Sequence, residues 1–89
     1  MKAHEVDFQI RNLSMANTYK RAESILIEIK NYSGEFSEDQ LSRICFAAIT
    51  NEQIYKCYNC KPHLKVILKK HQAKIDKSMY EDVINKVNL

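Results

Sequence analysis

Cys57 and Cys60 are separated by two residues, and His63 follows after two more. Thiolate and imidazole are zinc ligands, and a Cys-x-x-Cys turn supplies two of the four that a tetrahedral site needs. His71 or Cys45 could complete such a set. The second cysteine pair typical of zinc modules is missing, and no glycine lies nearby to turn backbone amides toward the sulfurs. The plainer reading makes Cys57 and Cys60 small residues near a helix end. No metal and no other cofactor is therefore expected; zinc at Cys57, Cys60 and His63 is the exception that the spacing leaves open.

These cysteines lie in a stretch, residues 53–75, that holds six lysines and no acidic residue. The net charge of +3 hides this asymmetry. Residues 1–52 carry six basic and eight acidic side chains, a net −2, whereas residues 53–89 carry eight lysines against Asp76, Glu81 and Asp82, a net +5. The second half attracts anions and the first does not. No arginine occurs after Lys56, which argues against bidentate reading of phosphates or bases and leaves diffuse attraction to an acidic partner. Lysines on the outer face of an amphipathic helix are also ordinary solvated surface.

The run from Ala47 to Lys56 resembles the turn and recognition helix of helix-turn-helix proteins. The resemblance implies that Thr50 caps a second helix and that Asn51, Gln53 and Lys56 face a major groove, with Lys61 on phosphates. Ala48 stands where that motif favours glycine, and Ile44 where it favours a small residue. Residues Glu35, Phe36, Ser37, Glu38, Asp39, Gln40 and Leu41, followed by Ala47 and Ala48, are similar to a segment of the small helical Hha/YmoA regulators, which act through a nucleoid protein. Ile49 replaces the aspartate expected after the paired alanines, and the rest of the chain aligns only with gaps. Locally, Cys57 to Lys61 also resembles the thioredoxin active-site turn, but that fold needs a preceding strand and a later cis-proline, and the one proline here is Pro62.

Signatures of catalysis are absent. There is no glycine-rich phosphate loop and no Gly-x-Ser-x-Gly elbow. Cys45 follows Ile44 on a buried stripe, a poor place for a nucleophile.

The elements that hold these residues are helices. The chain has one glycine and one proline, too few for the turns of a sheet protein. Its 45% hydrophobic content suits a folded domain, and 89 residues make one domain spanning 1–89. Residues 4–13 fit either a strand, through Val6, Phe8 and Ile10, or a helix, through Ala3, Val6, Ile10 and Leu13; helix is preferred because a lone strand has no partner. Met15, Tyr19, Ala22, Leu26 and Ile29 form a second helical face, capped by Ser14 or Asn17 and closed by Gly34 in a left-handed conformation. Ser37 and Gln40 form a capping box. It precedes a stripe of Leu41, Ile44, Cys45 and Ala48, with a possible break near Thr50 and Asn51. Pro62 disfavours helix at Lys61 and opens a helix with Leu64, Ile67, Leu68, His71 and Ile75 inside. Ser78 and Glu81 form a second capping box ahead of Met79, Val83, Ile84 and Val87.

The expectation is an all-α domain, a bundle or orthogonal array of four to five short helices. It acts without catalysis, as a regulator, adaptor or inhibitor that binds an acidic protein partner. Tyr55, Tyr58, Lys61, Lys65 and Lys69 form the contact, since tyrosine is favoured in interfaces and lysine steers acidic surfaces. The alternative is a DNA-binding regulator through residues 47–61; a homodimer fits that reading, because two half-sites call for two copies. No apolar run spans a membrane. Three cysteines, which cannot all pair within one chain, and the lack of a signal-like start point to the cytoplasm, or to the interior of a host cell for a phage or virus.

Overall fold

The structure, a computed structural model, describes residues 1–89. A 3-10 turn at Ala3–Glu5 leads into α1 (Val6–Met15), followed by α2 (Tyr19–Asn31), α3 (Glu38–Thr50), α4 (Glu52–Tyr55) and α5 (Cys60–Lys70). A second 3-10 turn at Gln72–Lys74 precedes α6 (Lys77–Val87), and there is no strand. The all-α class is as expected, with six helices in place of four or five, and residues 6–13 are helical. No helix is long and apolar enough to cross a membrane.

Local chemistry sets most boundaries. Ser37 accepts from the Gln40 amide at 3.0 Å, while the Gln40 side chain accepts from the Ser37 amide at 2.8 Å, completing the expected box. The helix after Met15 starts later than expected. Thr18, not Ser14 or Asn17, caps α2 by accepting from the Arg21 amide. Met15 ends α1 and Tyr19 opens α2, and both are exposed, so neither joins the stripe of Ala22, Leu26 and Ile29. The last cap also moves: Asp76, not Ser78, accepts from the Met79 amide at 3.2 Å. An Asp carboxylate two residues upstream is the stronger acceptor and suits the positive end of the helix dipole. Asn88 adopts the left-handed conformation at the far end of α6, which asparagine tolerates better than most residues.

Gly34 is not left-handed. Tyr32 is extended and ends α2, and a Cβ at Gly34 would overlap the Tyr32 ring. Glycine lets the Tyr32 ring close over the backbone there, and no reversed backbone is involved. Lys61 is helical despite preceding Pro62. The helix starts at Cys60, and proline in its first turn lacks an N–H that would have no intrahelical partner.

α2 packs on α5, α3 on α6, and α1 on both α2 and α3, while α4 plugs the space among α2, α3, α5 and α6. All 23 buried residues are apolar, and no buried side-chain nitrogen or oxygen lacks a partner. Cohesion therefore comes from hydrophobic burial, with polar groups confined to caps and edges.

His71 was expected on the inner face of α5. It sits at the C-terminal end, partly buried, its ring edge-on to Phe36 at 5.1 Å. Burial, then the nearby Lys70 and Lys74 charges, hold its pKa below the ordinary histidine value of 6.5. The unfolded chain thus binds a proton more readily than the folded one, so stability rises with pH through this window. The thermal midpoint is expected to fall as pH drops from about 7 to 5, and to fall less steeply in His71→Gln. Equal slopes in the two proteins would assign the effect elsewhere.

Candidate protein-docking surface

The lysine-rich half is organised by α4 and α5. Asn51, the N-cap of α4, accepts from the Gln53 amide at 2.9 Å. Ile54 is buried, Lys56 pairs with Glu52 at 3.3 Å, and a turn through Cys57 leads into α5. The hydrogen bond to Glu52 and its charge raise the Lys56 pKa.

On α5, Leu64, Ile67 and Leu68 face the core. Lys61, Lys65 and Lys69 recur every four residues and so line up along one side of the helix. Lys65 and Lys69 are exposed, Lys61 partly so, and none has a carboxylate within ion-pair distance. Like charges one turn apart repel by a few tenths of a kcal/mol per pair. Val66 is exposed beside them, and Tyr58, just ahead of the helix, is 81% exposed. Tyr55 is placed differently from Tyr58. It is partly buried, with Lys86 Nζ 4.4 Å above its ring, so it joins α4 to α6.

The segment that resembles a helix-turn-helix has a different internal logic. Thr50 was expected to cap the second helix; it is the last residue of α3, and its hydroxyl donates to the Phe46 carbonyl at 2.7 Å. Asn51 was expected to face outward to a base. Its Nδ2 points inward to the carbonyls of Leu13, Ser14 and Ala16 at 3.1, 3.3 and 3.0 Å. Gln53 is partly buried, and α4 has only four residues.

Both ring nitrogens of His63 are engaged by α2. Its Nδ1 lies 2.9 Å from Lys30 Nζ and its Nε2 3.4 Å from Glu23, which ties α5 to α2. Cys57 and Cys60 are adjacent and buried, and no three His, Cys, Asp or Glu side chains are grouped to hold a metal ion. Burial, with Cys57 alongside, pushes the Cys60 thiol pKa up strongly, and burial alone pushes Cys45 up to about 11. Cys45 and Cys60 are accordingly thiols near neutral pH, the form that neither attacks nor ligates well.

Sequence reading missed three exposed residues, Phe8, Met15 and Phe46. The available signal was partial: Phe8 and Phe46 are large and apolar yet lie off the buried stripes of their helices, whereas Met15 fits the spacing of the following stripe and is set apart only by its place at the end of α1. Comparison with protein-family models, curated proteins and solved structures gives no match.

Proposed function

We propose that this chain is a non-enzymatic binding protein, a regulator, adaptor or inhibitor that docks an acidic protein surface onto the outer side of α5. The observation that carries this is the ridge of Lys61, Lys65 and Lys69, unpaired and mutually repelling, beside the exposed Tyr58 and Val66. A partner carboxylate would relieve the repulsion, the tyrosine ring would supply contact area, and the lysines would speed encounter.

A DNA-binding role through residues 47–61 has less support. Its supposed reading helix is four residues long, the Asn51 amide is committed to α1, and Lys56 is paired with Glu52. The lysines remain available to phosphates in either case.

A photo-crosslinking amino acid at position 58 tests the proposal in cells. The expected product is a protein adduct with an acidic contact region, reduced about tenfold by Lys65→Glu with Lys69→Glu, since such charges act on association rate. Adducts to nucleic acid, together with salt-dependent retention on duplex DNA that the same reversals abolish, would replace this function with the DNA-binding one.

A further inference from the structure

α1 is apolar on two opposite sides. Val6, Ile10 and Leu13 face the core. Phe8 and Met15, seven residues apart, lie on the other side with Arg11 between them. Phe8 is 64% and Met15 70% exposed, and Phe46 from α3, 58% exposed, joins them around an open groove of about 750 Å³. A surface helix needs only one apolar side to hold a domain together. Three large apolar side chains left in water around one groove indicate contact with something outside the domain.

Charge and shape indicate what that is. Arg43 borders the groove but is already held by Asp39 of its own helix at 3.0 Å and by Asp7 of α1 at 2.7 Å, the second of which links α1 to α3. Arg11 has no carboxylate within ion-pair distance, so its guanidinium is free to meet an anion, although the two carboxylates on Arg43 leave the groove's surroundings with no net positive charge. A second copy of the chain is disfavoured. Arg11 sits between Phe8 and Met15, so two-fold pairing of the patch would bring two arginines into the same contact. The molecule has no strand edge to which an extended peptide could add. The groove between two helices instead accepts the ridge of a third.

We infer that the α1/α3 groove binds an amphipathic helix of a partner protein, one with an apolar stripe over two to three turns and Asp or Glu at its margin to meet Arg11. This does not depend on the role proposed for α5. With both surfaces occupied, the chain would act as a bridge.

The probe is a pair of synthetic helical peptides of about five turns, sharing one leucine stripe and flanked by glutamate in one and lysine in the other. Fluorescence anisotropy follows their binding to the full chain, with circular dichroism confirming that each variant is folded. The glutamate peptide is expected to saturate, and the lysine peptide to bind at least about tenfold more weakly. Phe46→Ser and Arg11→Glu, both outside the core, should each weaken the glutamate peptide about tenfold. Lys65→Glu with Lys69→Glu should leave it within about twofold. No saturable binding up to about millimolar peptide, equal binding of the two peptides, or indifference to Phe46→Ser would overturn the inference. Loss of binding on reversal at Lys65 and Lys69 would do the same. So would a dimer in sedimentation that Phe46→Ser dissociates, because the second copy would then be the occupant.

Discussion

Phe36→Ala is expected to lower the unfolding free energy by about 3–5 kcal/mol, the usual cost of emptying a buried phenylalanine site. Phe36 lies between α2 and α3, outside any helix, yet is only 1% exposed. Its ring packs against Tyr32 at 5.2 Å and His71 at 5.1 Å, and its carbonyl accepts from Lys74 Nζ at 3.2 Å. One loop side chain thus joins the end of α2 to the end of α5. Small domains have about 5–15 kcal/mol in total, so this single change removes a large share. Urea unfolding should show a lower midpoint at nearly unchanged slope. Phe36→Leu, which retains most of the volume, should cost less than half as much. Equal losses in the two variants would point to the ring contacts and not to the cavity.

Asn51→Ala is expected to cost about 2–4 kcal/mol, combining a lost N-cap of about 1 kcal/mol with carbonyls left poorly paired at the end of α1. The side chain works in two directions at once. Oδ1 accepts from Gln53 of α4, and Nδ2 reaches three carbonyls at the C-terminal end of α1. Substitutions separate the two. Asn51→Ser retains a capping acceptor alone and should recover only part of the loss. Asn51→Asp also retains the cap but turns a carboxylate toward three carbonyl oxygens, so at neutral pH it should be at least as damaging as alanine. Those oxygens would raise its folded pKa above the unfolded value of about 3.9. Its penalty would then be small below that value and grow as pH rises through the folded one. A pH-independent Asn51→Asp penalty, measured against wild type, would contradict the inward orientation of the amide.

Asn51 also marks the limit of what the sequence made legible. Its role as a cap is a local matter, and a helix break near Thr50 and Asn51 was readable on that basis. Its grip on residues 13–16 depends on where α1 packs, which no short window reveals. The Ser37 box was legible because both partners lie within four residues. Asp76 was passed over for Ser78 because both positions suit a cap, and the choice rests on where the chain leaves the second 3-10 turn. Phe36 shows no periodicity because it belongs to no helix, although it is among the largest buried side chains. At the α5 surface, the exposure of Lys65 and Lys69 follows directly from their offset from Leu64 and Leu68. Tyr55 does not, because the Lys86 that covers it arrives from α6. Phe8, Met15 and Phe46 were visible as letters, but only the packing of α1 on α3 makes them neighbours.

The molecule extends 29 by 28 Å in two directions and only 18 Å in the third. Since a helix with its side chains is about 10–12 Å across, the domain is a slab no more than two helices deep. A slab of that depth has no central helix, and every helix is both wall and exterior. The inward residues of each are constrained by their neighbours, while the outward residues are constrained by little within the domain. Outward residues can therefore be exchanged one face at a time, over a scaffold that scarcely registers the change.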